Sequence, residues 1–179
     1  MKADTHSSVV QAATELFLRH GPDVTIRQIA DRAGVSVGTV MGVADKDGLI
    51  VRVLDTVIAD LPMPAPSVSP DATTAVMQQL TPFVEWFSNH VDLARAYLAV
   101  LVSGRQSSQV FESLAQRLIS SIAAVLGDEP EAKVTAHLIH RAYLGELMIW
   151  AGSGDTSPTP TLENLRRSVR TSIGSSTLT

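Results

Sequence analysis

Thr25-Ile26-Arg27-Gln28-Ile29-Ala30-Asp31-Arg32-Ala33-Gly34-Val35-Ser36-Val37-Gly38-Thr39-Val40 decides the fold, because it holds two helix starts separated by a glycine. Thr25-Ile26-Arg27-Gln28 has the form of a capping box. In such a box the threonine hydroxyl and the glutamine side chain each satisfy a backbone N–H that the first turn leaves open. Val24 and Ile29 stand where a hydrophobic staple closes across the helix entry. The helix that begins here ends near Arg32, after barely two turns. Ala33-Gly34-Val35 makes a tight turn, since Gly34 can take the left-handed backbone angles that other residues resist. Ser36 is the next N-cap, with Val35 and Val40 as a second staple.

Outward from that stretch, almost every segment repeats at three-to-four spacing and almost none alternates, so the expected fold is all-α with about nine helices. A first helix is expected over 5–20, with Val9, Ala13, Leu16 and Phe17 on one face; Gly21-Pro22 stops it. A fourth starts near Asp45, where Asp45 and Asp47 suit the positive end of the helix dipole. Its apolar positions Leu49, Ile50, Val53, Leu54, Val57, Ile58 and Leu61 form one stripe, and Leu61-Pro62-Met63-Pro64-Ala65-Pro66 ends it at a domain boundary. Five further helices are expected over 71–89, 91–103, 106–126, 129–151 and 160–173. Pro82 should kink the first of these. Pro130 sits where a helix tolerates proline, in the first turn. Residues 152–158 read as a flexible loop and 175–179 as a disordered tail.

Composition narrows the function. The chain has 179 residues, 45% of them hydrophobic and 18% charged, and no cysteine, which fits a globular protein without disulfides or thiolate chemistry. Aromatics make up only 4%, so the core must be largely aliphatic. No apolar run approaches the roughly 18 residues of a membrane-spanning helix, and Met1-Lys2-Ala3-Asp4 is not followed by a signal-peptide core. No membrane association and a cytoplasmic location are expected. The net charge of −4 argues against coating nucleic acid through bulk positive charge. Positions 1–60 carry Lys2, Arg19, Arg27, Arg32, Lys46 and Arg52 against Asp4, Glu15, Asp23, Asp31, Asp45, Asp47, Asp55 and Asp60. Any binding to DNA must therefore be local.

Short helix, glycine turn and short helix against a preceding amphipathic helix is the layout of a helix-turn-helix, whose second helix enters the DNA major groove. Thr25 and Arg27 at the mouth of the second helix are placed to meet phosphate oxygens. Ser36, Val37, Gly38 and Thr39 open the third, where N-terminal residues meet base edges. Gly38 costs helix stability yet lets the backbone approach another surface. The blander reading is that Gly38 only relieves packing against the first helix.

Ala12-Ala13-Thr14-Glu15-Leu16-Phe17 with Gly21, followed by Thr25 to Val40 as quoted above, resembles the TetR family of bacterial repressors over about positions 5–60. The resemblance implies a helix-turn-helix domain over 1–45, a connecting helix over 46–61, and a divergent ligand-binding and dimerisation bundle over 71–174. After Thr39 the chain departs from the family, which continues with a tyrosine, a histidine-phenylalanine pair and a lysine. Here Val40-Met41-Gly42-Val43-Ala44-Asp45-Lys46 is shorter by one residue and has no aromatic. Lys46 remains a candidate phosphate contact. Met41 stands on the DNA-facing run without a hydroxyl to offer.

The resemblance further implies a double-stranded operator as partner, an unknown small-molecule effector and a homodimer. Dimerisation is expected through the last two helices, where Ala136, Ala142 and Gly145 lie among Leu138, Tyr143, Leu147 and Trp150, with Leu162, Leu165 and Val169 on the final helix. A pocket among the fifth to eighth helices would be lined by Trp86, Phe87, Tyr97, Leu98, Leu101, Phe111, Leu118 and Tyr143. His90, Arg95, Arg141 and Glu146 are its polar handles, and the scarcity of aromatics favours a largely apolar effector. Each of these aromatics also reads as plain core. His137 and His140 with Glu146 read as partly exposed polar residues rather than a metal site. No phosphate loop, nucleophile elbow or metalloprotease motif is present, so no catalytic residue or cofactor is expected. The second reading of the whole chain is a helical ligand-binding or interaction module with weakened DNA binding.

Overall fold

Apolar residues that recur every three or four positions can be covered only by packing helix on helix, and the chain does this throughout. The computed structural model describes residues 2–65, 69, 71–127 and 129–176. Among the described residues there are nine α-helices and no strand: α1 (Lys2–His20), a 3-10 turn at Gly21–Asp23, α2 (Ile26–Ala33), α3 (Val37–Val43), α4 (Lys46–Asp60), α5 (Ala72–Asn89), α6 (Val91–Val102), α7 (Gln109–Leu126), α8 (Pro130–Gly152) and α9 (Thr159–Ser176). The expected helices are all present, with ends within about three residues of the periodicity. Helix α9 continues to Ser176, so Ser175 is helical rather than part of a tail; residues 177–179 lie outside the described residues. Helix α5 runs unbroken past Pro82, whose ring is exposed.

The helices form two compact units. The first comprises Met1–Asp60 and His90–Val110. Its core gathers Val9, Ala13 and Phe17 of α1, Ile29 of α2, Val40 of α3, Leu49, Val53, Leu54 and Ile58 of α4, and Leu93 and Tyr97 of α6, all essentially inaccessible. Helix α1 packs on α2, α3 and α4, and α6 packs on α4 and on the 3-10 turn. By these contacts α6 joins the N-terminal unit, whereas a division drawn along the chain would put it with the C-terminal bundle.

The second unit comprises Leu61–Asn89 and Phe111–Thr179. Helix α9 packs on α8 and α5, burying Leu165 and Val169 along with Ala136, Ile139, Tyr143 and Leu147 of α8 and Val76, Leu80, Phe83 and Phe87 of α5. Asp71 starts α5 by accepting from the Thr73 and Thr74 amides at 3.2 Å and from the Thr74 hydroxyl, which holds its carboxyl below the usual range. Pro130 occupies the first turn of α8, where its missing N–H costs no helical hydrogen bond. Gln79 is wholly buried, yet it donates to the Ala65 carbonyl at 3.2 Å and accepts from the Ser121 hydroxyl at 2.7 Å. Those two bonds offset the desolvation of its amide.

Candidate nucleic-acid interface

Side-chain caps fix where α2 and α3 begin, and a glycine fixes the angle between them. Thr25 and Gln28 close the expected capping box: the Gln28 amide donates to Thr25 Oγ1 at 3.3 Å, and Gln28 Oε1 accepts from the Thr25 amide at 2.8 Å. Helix α2 stops at Gly34, whose φ of 69° and ψ of 32° lie in the left-handed region. The Val35 amide then donates to the Ala30 carbonyl at 3.0 Å and the Gly34 amide to the Asp31 carbonyl at 3.3 Å, a Schellman ending. Ser36 accepts from the Thr39 amide at 3.1 Å and starts α3. Helix α3 packs on α2 and α1 with Val40 fully buried, so its opposite face turns to solvent.

That open face carries most of the residues expected to meet DNA. Thr25, Arg27, Ser36, Val37, Gly38 and Met41 are exposed, while Thr39 and Lys46 are half-buried. A Cβ built on Gly38 would meet only Ser36 Oγ, at 3.8 Å, and one built on Gly42 would meet nothing within 4 Å. Packing against α1 therefore does not account for Gly38. Gly42 was not among the sequence candidates, although its spacing of four from Gly38 would have placed it on the same face.

The electrostatics are sparse. Arg32 is engaged by Glu15 in an ion pair between α2 and α1. Lys46 stands between Asp45, which caps α4 by accepting from the Gly48 amide at 2.7 Å, and Asp47, which pairs with Arg105 at 3.1 Å. Arg27 is the exposed cation in α2 that is not so engaged in an ion pair with a described carboxylate.

The residues expected to line a pocket are divided between the units. His90, Arg95, Tyr97, Leu98 and Leu101 belong to the first; Trp86, Phe87, Phe111, Leu118, Arg141 and Tyr143 belong to the second. Tyr97, Leu98, Phe87, Leu118 and Tyr143 are buried; Trp86, His90, Arg95, Leu101 and Phe111 are half-buried, and Arg141 is exposed. Trp86 meets Phe87 edge-on with ring centres 5.5 Å apart. Tyr97 donates to Asp55 at 2.9 Å, and Ser108 donates to the same carboxylate oxygen at 2.6 Å, with Tyr97 and Ser108 themselves 3.3 Å apart. Burial, with Asp55 beside it, pushes the Tyr97 phenol well above its ordinary range, so it remains a hydrogen-bond donor. An open, mostly apolar groove of about 590 Å³ lies in the second unit, walled by Met63, Pro64, Ala65, Gln116, Arg117, Ser120 and Ser121. It shares no residue with the expected pocket.

His140 is buried and its imidazole is pushed below its usual value by that burial and by His137 one turn away. Glu146 accepts from Asn164 at 3.4 Å. Among the described residues no three His, Asp or Glu side chains gather as a metal site would need, and no helix is long and apolar enough to cross a membrane. The exposed apolar residues of α8, Val134, Leu138, Met148 and Ile149, follow one helical face together with the exposed Gly145.

A capped helix pair with a left-handed glycine turn, supported by α1, is the architecture of a helix-turn-helix. Residues 9–42 match the family described as bacterial regulatory proteins, tetR family. The match spans the stretch from α1 to α3 that holds the helix-turn-helix. None of the curated proteins matches the sequence. Among solved structures, the fold is similar to a TetR-family transcriptional regulator from Mesorhizobium loti MAFF303099, with TM-score 0.63 and 18% identity over 98% of each chain. It is also similar to a TetR transcriptional regulator from Rhodococcus sp. RHA1, with TM-score 0.61 and 18% identity over 96% of each chain.

Proposed function

We propose that this chain is a homodimeric, cytoplasmic repressor that binds operator DNA through α2 and α3 and is released by a small, largely apolar effector held in its helical bundle. The observation that carries the DNA-binding part is the open space around Gly38 and Gly42. Neither glycine is required by packing inside the chain, and each weakens α3, so the bare backbone is explained by a surface that approaches from outside. Ser36, Val37, Gly38, Thr39 and Met41 then face base edges. Thr25, Arg27 and Lys46 approach phosphates. The exposed apolar face of α8 supports the homodimer, because a second copy of the same face would cover it around a two-fold axis. The effector reading rests on the helical bundle and on the resemblance to TetR regulators; the half-buried Trp86 and Phe111 of the second unit are the residues we assign to it.

The test is selection of bound duplexes from a random library with the full-length chain, followed by affinity measurement for wild type and Gly38→Leu. The leucine should leave the fold intact, since the position is exposed and helix propensity favours the replacement. Operator affinity should drop by at least about tenfold, the cost of roughly 1.4 kcal/mol of lost contact. Unchanged affinity in a folded variant would exclude α3 from the interface.

A further inference from the structure

The chemistry of the α3 surface indicates which feature of a duplex it reads. Val37-Gly38-Thr39-Val40-Met41-Gly42-Val43 contains no amide, carboxylate, imidazole, guanidinium or ammonium group. Bidentate reading of guanine needs Arg or Lys, and of adenine Asn or Gln; α3 supplies neither. Its two hydroxyls, Ser36 and Thr39, are bonded to each other at the helix start and are short. Ser36 Oγ accepts from the Thr39 amide at 3.1 Å and shares a hydrogen bond with Thr39 Oγ1 at 2.8 Å. What projects is apolar: Val37 is 45% exposed and Met41 51%, one turn apart on the same face, while Val40 is fully buried. Gly38 and Gly42 leave low ground beside them. The strip is thus two branched methyls and a flexible thioether above bare backbone.

Along the edge of the major groove, the apolar group that projects from a base pair is the pyrimidine C5-methyl. We propose that α3 selects its site by pyrimidine C5-methyl groups, from thymine or 5-methylcytosine, with Val37 packing on one methyl and Met41 on another in each half-site. This rests on the operator-binding function proposed above. The shape agrees: a methyl stands out of the groove floor, and a flat helix face without long polar side chains can close on it and exclude water. Met41 suits the role because an unbranched thioether adapts to the position of its neighbour.

The experiment uses the full-length protein and two random duplex libraries, one unmodified and one with 5-methylcytosine in place of cytosine. Enrichment of one site from the unmodified library assigns the methyl to thymine; enrichment only from the modified library assigns it to 5-methylcytosine. In a thymine site, each T is then changed singly to uracil, which removes the methyl and nothing else. Two positions per half-site should each lose about fourfold in affinity, the factor one buried methyl carries. Placing 5-methylcytosine·guanine at those positions should bind about fourfold better than cytosine·guanine. Met41→Ala should abolish the thymine-uracil difference at one position and Val37→Ala at the other, with far-ultraviolet circular dichroism unchanged. In a 5-methylcytosine site the comparison with cytosine takes the same form.

A strongly enriched site whose affinity is unaltered by every methyl removal would overturn the proposal while leaving operator binding intact. Failure to enrich any site from either library would instead overturn operator binding. The apolar strip would then be free to dock a protein.

Discussion

Gly34 and Gly42 lie in the same motif, and replacing each by alanine should move stability in opposite directions. Gly34 holds a φ of 69°, where an added Cβ strains the backbone, so Gly34→Ala should destabilise the chain by about 1–2 kcal/mol. Gly42 is helical, exposed and surrounded by space, so Gly42→Ala should stabilise it by up to about 1 kcal/mol. Urea titration of both variants checks this; the same sign for both would mean that α3 is not a regular helix at Gly42. The motif itself was legible in the sequence because its determinants are local. Thr25 finds Gln28 three residues on, Ser36 finds Thr39, and Gly34 needs only its own backbone angles. The chemical role of Gly42 was less legible, since spacing assigns a face to a residue but does not say what covers that face.

Long-range cooperation between elements is visible only in the structure. Asp55 of α4 collects hydrogen bonds from Tyr97 of α6 and from Ser108 in the segment before α7, partners 42 and 53 residues away. No periodicity announces such a meeting. The α4 stripe was readable as buried; which residues of α6 meet it was not. Asp55→Ala removes the shared acceptor from two buried hydroxyls. It should cost about 2–4 kcal/mol, taking roughly 1.5–3 kcal/mol for each hydrogen bond to a charged group and allowing for non-additivity. Asp55→Asn, which keeps an acceptor, should cost less. Equal losses in the two variants, measured by denaturant midpoint, would show that charge rather than hydrogen bonding holds α4 to α6. The groove beside Met63 and Arg117 was likewise invisible in advance, because it is formed by chain segments far apart in sequence.

At the scale of the whole molecule, the exposed apolar face of α8 carries the homodimer proposal. Val134 is 61% exposed and Ile149 66%, at opposite ends of the same helix. Leu138→Glu places a charge in the middle of that face and should leave a monomer by analytical ultracentrifugation. Because a monomer engages one half-site, operator affinity should fall by roughly 10²–10⁴-fold with it. A Leu138→Glu dimer of normal affinity would move the interface elsewhere. The ion pair that engages Arg32 and the acids on either side of Lys46 have a further consequence for the proposed regulator. With Arg27 and Lys46 as two phosphate contacts per protomer, the slope of log affinity against log salt would be about −4 for a dimer. A protein held so lightly by the duplex backbone leaves random chromosomal sequence quickly. Fewer molecules are then sequestered by the genome at large, and a small number of copies per cell is enough to keep a single site occupied.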